Sequence, residues 1–371
     1  VSVLSISNLK KAIKDPSHAI YRAVHIATIK TSIRLNLKKL PPPAVLTLFL
    51  TYRCNLNCCM CGQNKFFADF EKERLKPEQY AQILKEFKIL KPSICLFGGE
   101  PLLYPEFSRL VETISALGFR QHLITNGTLL EKLDDATVAR LDRITVSING
   151  PKETHDKIAD LSGAFDRAMS GIDKSVSVAR KRGARKPLVY TLVTITQDNF
   201  DKLFDTAQSL KSTGVDGITF QHLSYIEPEM LDLQTTGLES GSYQDAVDFV
   251  RSYGASPKID ADVLSSELDK VKKIRGLDVF TFPDFDRAQL KYYYSSDAHK
   301  FFGEKKCRFG HFEATVMPDG SFTTCMNIEL GKHGGTRFMN AWRGEKWTGY
   351  RNFFAQNTLP YCVRCCGLYR Y

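Results

Sequence analysis

From residue 44 to residue 222 the chain alternates short apolar runs with longer amphipathic ones, and no other feature restricts its fold as strongly. The runs at 44–51, 93–97, 121–125, 143–148, 188–194 and 217–222 have the length and composition of buried strands. The stretches at 77–90, 105–117, 163–182 and 199–212 repeat apolar residues at helical spacing. Parallel strands need crossovers of that length, so strand–helix units in series imply a parallel sheet. Six units are too few for a closed eight-stranded barrel. The expected fold class is therefore α/β, a partial (β/α)6 TIM-type barrel over 44–222. A basic helical arm (1–43) is expected before it, a connecting helical and aromatic segment (223–306) after it, and a small cysteine-rich domain (307–371) last. In such sheets functional residues gather at the carboxyl ends of the strands.

Cysteines mark the first of those ends. Cys54-x3-Cys58-x2-Cys61 lies directly after the first strand, with Cys59 inside it. The opening VSVLSISNLKKAIKD lacks the apolar core and cleavage site of a secretory signal, and no run approaches the length of a spanning helix. Ten cysteines in that context are expected in a reducing, cytoplasmic compartment, where ligation is the first explanation to test. Three cysteines on one short loop can hold three irons of a [4Fe–4S] cluster and leave the fourth to an outside ligand. A structural zinc site wants a second pair of ligands, which this loop does not supply.

Polar and glycine-rich elements close the following strands. Gly98-Gly99-Glu100-Pro101 ends the second, Thr125-Asn126-Gly127 the third and Ser147-Ile148-Asn149-Gly150 the fourth; Thr194 and Asn199 flank the fifth, and Gln221-His222 closes the sixth. Further on, Cys307, Cys325 and Cys362-x2-Cys365, with Cys366 adjacent, have the spacing of either a tetrahedral zinc site or a fully ligated cluster. Cys95, inside the second strand, reads as an inert core thiol.

In this order the motifs resemble the radical SAM superfamily, and the C-terminal cysteines are similar to the abbreviated extension of its SPASM/twitch subgroup. The resemblance implies S-adenosylmethionine (SAM) and a [4Fe–4S] cluster on Cys54, Cys58 and Cys61. It implies a second, auxiliary [4Fe–4S] cluster on Cys307, Cys325, Cys362 and Cys365, with Cys366 able to replace its neighbour. Gly98, Gly99, Glu100 and Pro101 match the element that receives the SAM amino group. Asn126 matches a cofactor-side turn, and Ser147 and Asn149 match the ribose contact, with Asn149 where relatives often carry an acid. Met60 stands where many members place an aromatic residue beside the adenine. An electron donor such as flavodoxin or ferredoxin is implied as a partner.

Charge is concentrated at the start. Of the net +10, residues 1–42 hold eight basic groups against Asp15, and the other 329 residues hold only +3, which argues against a nucleic-acid binder. Ile20, Val24, Ala27 and Ile29 to Ile33 recur at helical spacing with Lys30, Arg34 and Lys38, before Pro41-Pro42-Pro43 stops the helix. Such a segment either packs on the protein or lies peripherally on an anionic membrane surface.

The expected function is a radical SAM enzyme that abstracts hydrogen from a sugar-, cyclitol- or lipid-linked small molecule, ending in oxidation or epimerisation. The 43 residues before the first strand look too short for a leader-peptide domain, which sets peptide modification second. A non-catalytic zinc or Fe–S scaffold is the third reading. His222 is the first candidate for a catalytic acid or base; Glu153, His155, Asp156, Tyr225, His311 and Asn327 are the others.

Overall fold

The computed structural model describes residues 16–35, 37, 39–67, 74–181 and 186–371. After α1 (Pro16–Arg34), the strands β1 (Val45–Phe49), β2 (Ser93–Phe97), β3 (Gln121–Thr125), β4 (Arg143–Ser147), β5 (Leu188–Ile195) and β6 (Gly217–His222) form within a few residues of their expected bounds. The crossovers are α2 (Gly62–Phe66) and α3 (Pro77–Leu84), then α4 (Phe107–Ala116), α5 (Asp135–Arg140), α6 (Lys152–Ala159), α7 (Ala164–Lys181) and α8 (Leu203–Leu210). All six strands are parallel and neighbours in order.

Two further parallel strands extend the expected six. After α9 (Leu231–Ser240), α10 (Val247–Arg251) and α11 (Ala261–Lys272), β7 (Asp278–Phe282) pairs with β6. It comes from the segment read as helical and aromatic. Beyond α12 (Arg287–Tyr293) and α13 (Ala298–Phe302), β8 (Glu313–Val316) returns to lie parallel on the free side of β1. β9 (Ser321–Thr323) and β10 (Glu329–Lys332) add an antiparallel edge, and α14 (Phe338–Arg343) and α15 (Glu345–Gln356) cover it. The sheet order is β10-β9-β8-β1-β2-β3-β4-β5-β6-β7. The cysteine-rich extension thus shares its sheet with the barrel.

Register sorts every strand into two faces, because paired residues in a parallel sheet share a side. Leu96, Leu123, Ile144, Val189, Ile218 and Phe220 form the helix-facing side, all at most 1% exposed. Phe49, Phe97, Ser147, Leu192, Thr194 and Gln221 fall on the concave side, toward the carboxyl ends. Arg143 lies over the ring of Tyr190 at the foot of that concavity, 5.0 Å from its centroid.

Candidate active site

The cysteine loop leaves the end of β1 and is sewn to its neighbours by backbone hydrogen bonds. Gly99 N donates to Thr51 O (2.8 Å) and Glu100 N to Arg53 O (2.8 Å), while Cys59 N reaches Ile158 O (3.1 Å) at the end of α6. A Cβ on Gly99 would stand 2.3 Å from Arg53 O, so the glycines admit the triad loop against the strand end. Asn55 bridges to β3: its Nδ2 donates to Thr128 Oγ1 (2.8 Å) and its Oδ1 accepts from Asn126 Nδ2 (2.9 Å).

This stitching brings Cys54, Cys58 and Cys61 together. Burial pushes the Cys54 thiol up to about 11, and burial together with the sulfurs of Cys61 and Cys54 pushes Cys58 up to about 12. Cys61 is raised by burial, against the pull of the Asn64 and Gln63 amides. Leu56 N (3.5 Å) and Asn126 Nδ2 (3.9 Å) point at Cys54 Sγ, the kind of donor that supports a cluster-bound thiolate. Cys59 is exposed and turned toward Lys157 and Asp198.

The Glu100 carboxylate is engaged within the protein. It is completely buried, and its oxygens accept from Leu102 N (3.0 Å), Thr125 Oγ1 (2.7 Å) and Asn126 N (2.8 Å). Burial raises its pKa to about 7 against those three donors. The carboxylate therefore holds the Thr125-Asn126 turn, whose asparagine touches Cys54, and Pro101 starts a short 3-10 turn behind it. What the motif turns toward the triad loop is backbone.

Ser147 is half-buried on the concave face. Asn149 is buried and knits two strand ends together: Oδ1 accepts from Thr194 N (3.0 Å), its carbonyl accepts from Asn199 Nδ2 (2.8 Å), and its amide donates to His155 Nδ1 (3.0 Å). Met60 is half-buried on the turn of the triad loop. Asp156 accepts from Gly163 N and Phe165 N, which makes it a turn holder.

His222 does not face the concavity. It continues the helix-facing phase of Ile218 and Phe220, sits against Phe285 and Tyr293, and binds Tyr294 Oη through Nδ1 (2.7 Å). Burial lowers its pKa to about 3. The strand residue that does face inward is Gln221, half-buried opposite Thr194.

His155 and His311 are also pushed down, each to about 4, chiefly by burial. These three histidines stay neutral in the folded chain, whereas the unfolded chain protonates them below about pH 6.5. Their contribution is present above that pH and is lost as pH falls through 6.5 toward 4. Thermal melts should show a midpoint dropping between pH 7 and pH 5, and His155→Asn should make that drop shallower.

The second cysteine group forms around the extension. Cys307, Cys325 and Cys362 lie within electrostatic reach of one another, Cys365 reaches Cys325, and Cys366 reaches Cys307. Five sulfurs thus converge where four were expected. Tyr350 Oη stands 2.6 Å from Cys325 Sγ. Met326 and Asn327, both at φ 56°, turn the chain sharply beside Cys325. Tyr253 separates the two cysteine groups: its ring packs on Gly62 and lies within reach of Cys61, Cys365 and Cys366. No local pattern marks this tyrosine in the sequence.

Among the described residues no three His, Cys, Asp or Glu side chains converge tightly enough to grip a single ion. Both groups gather soft cysteine sulfurs within electrostatic reach of one another, with amide and hydroxyl donors aimed at sulfur, a donor set that fits iron–sulfur cubanes.

An open parallel barrel with a cysteine triad at the exit of its first strand defines a class of cluster-dependent enzymes, and residues 48–210 match the family model described as "Radical SAM superfamily". That match covers the strands of the barrel, and the cysteine-rich extension, Cys307 to Cys366, lies beyond it. The match and the cysteine triad together fit SAM and a [4Fe–4S] cluster as cofactors.

Among similar proteins, the AdoMet-dependent heme synthase of Methanosarcina barkeri (strain Fusaro / DSM 804) is 30% identical over 190 residues, 50% of this chain and 51% of that protein. The pre-heme d1 synthase of Dinoroseobacter shibae (strain DSM 16493 / NCIMB 14021 / DFL 12) is 32% identical over 187 residues, 50% of this chain and 44% of that one. The chain therefore spans about half the length of the curated relatives it matches. Streptococcus suis SuiB bound to its precursor peptide SuiA shares the fold with a TM-score of 0.60 at 17% identity, over 95% of this chain and 76% of that one.

Proposed function

We propose that this radical SAM enzyme takes a hydrogen atom from a neutral, hydroxyl-rich small molecule of the sugar or cyclitol kind, free or lipid-linked, with oxidation or epimerisation as the outcome. The supporting observation is the concave wall beside the triad. Ser147, Thr194 and Gln221 present uncharged hydroxyl and amide groups there. On the β1 and β2 side of the same concavity Phe49 packs on Phe97 (5.6 Å), within an aromatic cluster where Tyr52 stacks on Phe67 (4.5 Å) and Phe66 meets Phe249 (5.2 Å). Aromatic faces alongside hydroxyl-binding groups suit a polyol ring better than a charged ligand.

Cys54, Cys58 and Cys61 would hold the cluster, Cys307, Cys325 and Cys362 the auxiliary one, with Cys365 or Cys366 as its fourth ligand. When bound, the cluster and SAM supply reductive cleavage of SAM to an organic radical able to take hydrogen from a C–H bond. Asn126 and Asn55 orient the triad loop, Ser147 and Gln221 orient the substrate hydroxyls, and the aromatic cluster excludes water. Peptide modification is the second reading, favoured by the fold shared with SuiB across the extension.

Reduced, reconstituted enzyme with SAM should form 5′-deoxyadenosine faster when glycosides or cyclitols are added, and deuterium at the attacked carbon should appear in it. Stimulation by peptides alone would replace this reading with the second. Gln221→Ala should raise KM for the polyol with a smaller change in kcat.

A further inference from the structure

The arm is apolar on two faces where one was expected. One face, His25 with Ile26, Ile29 and Ile33, closes the foot of the barrel. Ile29 packs with Ala44 and Phe312, just before β1 and β8, and His25 Nε2 meets Pro42 O (3.0 Å). The opposite face of α1 runs through Ile20, Val24, Ala27 and Leu35. It leaves Ile20 66%, Val24 56% and Leu35 64% exposed, and Leu37 continues the stripe.

A second exposed apolar point lies on a loop that α1 touches. Tyr21 Oη donates to Lys91 O (3.1 Å) and accepts from Lys91 N (2.6 Å), which fixes α1 against the loop before β2. In that loop Ile89 is 89% exposed. Lys85 and Lys88 stand out beside Ile89, and Arg34 and Lys39 beside the stripe, with Lys30 half-buried at its edge. Lys38 lies outside the described residues. No acidic residue occurs anywhere between 16 and 42.

We propose that this foot is a docking surface for an anionic lipid bilayer: Ile20, Val24, Leu35 and Ile89 enter the headgroup boundary, and the surrounding lysines and arginine meet lipid phosphates. The chemistry is that of an interfacial helix, in which apolar burial and attraction to anionic lipid act together. An acidic protein would use the charges but leave the aliphatic side chains without a purpose. A second copy of the chain would bring the same positive rim against itself.

The placement decides what the contact can do. The surface lies at the amino ends of the strands, whereas the triad and its motifs lie at the carboxyl ends, about 17 Å away along a five-residue strand. Docked this way, the site opens toward water. The bilayer tethers the protein and does not feed the site, so the proposal stands independently of the substrate assignment.

The test is co-sedimentation of the full chain with phosphatidylcholine vesicles, with and without phosphatidylglycerol. Binding is expected only when phosphatidylglycerol is present, and high salt should weaken it. Lys30→Ala with Arg34→Ala should weaken it by about fivefold per charge, and Ile20→Asp with Leu35→Asp should remove it. SAM cleavage and the circular dichroism spectrum should be unchanged in both variants, which separates failure here from failure of the catalytic reading. No binding to anionic vesicles, equal binding to neutral ones, or undiminished binding by the aspartate variant would overturn the proposal. So would a concentration-dependent dimer that the aspartate variant dissolves.

Discussion

Alanine at Cys54, Cys58 or Cys61 will abolish SAM cleavage, each change alone, while Cys59→Ala will leave it nearly intact. The four cysteines sit within eight residues, and the structure separates them by direction. Cys54, Cys58 and Cys61 are part-buried and close enough that the Cys61 sulfur raises the pKa of both other thiols. Cys59 is exposed, and its nearest charges are Asp198 and Lys157 on the rim. A cubane held at three corners cannot lose one and keep an open iron for SAM, so the expected loss is complete. Iron should fall by about four atoms per chain in each triad variant, with the remainder held by the extension. Asn126→Ala belongs to the same experiment: without its contacts to Cys54 Sγ and Asn55 Oδ1, a loss of ~10–100-fold is expected. If Cys59→Ala lost activity and the triad's iron together, the assignment of ligands on this loop would be wrong.

The parts legible in sequence are those governed by local pattern. β2, β3 and β6 occupy their expected residues because a parallel strand is a short apolar run bounded by turn residues. The helices come out shorter than their apolar periodicity; α3 stops at Leu84 where 77–90 was expected, the last residues going to a loop that turns toward β2. β7 is only five residues, Asp278–Phe282, and lies among aromatic residues whose density hides its alternation. The turn residues Pro318-Asp319-Gly320 mark the hairpin that forms between β8 and β9, but the parallel pairing of β8 with β1, some 270 residues earlier, has no signal in local pattern.

Side-chain direction was less legible than position. The glutamate of Gly98-Gly99-Glu100-Pro101 occupies the expected strand end, yet its carboxylate turns inward because two backbone amides and a hydroxyl of adjoining turns await it. For His222 the signal was present: counting by two from Ile218 and Phe220 puts it on the helix side and leaves Gln221 inside. Tyr253 and Arg364 had none, because what defines them is contact between segments remote in sequence.

Arg364 carries the last prediction. It lies between Cys362 and Cys365 and is 2% exposed. Its guanidinium makes a bidentate pair with Glu227, donates through Nε to Tyr293 O (3.1 Å) and through Nη2 to Ser295 O (2.7 Å), and lies 4.3 Å from the centroid of Tyr225. One side chain thus fastens the Cys362-x2-Cys365 knuckle to the chain leaving β6 and to the end of α12. Arg364→Met keeps the bulk but strands a buried carboxylate and two carbonyls, which should cost about 3–5 kcal/mol. Burial already raises the Glu227 pKa, and Arg364 opposes that rise. Without the arginine the folded pKa climbs further, so the carboxyl is protonated at low pH and must ionise as pH rises through that value. The variant should therefore lose more stability at pH 8 than at pH 5. Glu227→Gln added to Arg364→Met should recover part of the loss and flatten its pH dependence. Arg364→Lys should fall between, since one ammonium cannot span the carboxylate and both carbonyls. Denaturant melts at the two pH values check the energetics. Iron analysis should show loss from the extension with the triad still loaded, because the knuckle loosens while the loop after β1 keeps every one of its hydrogen bonds.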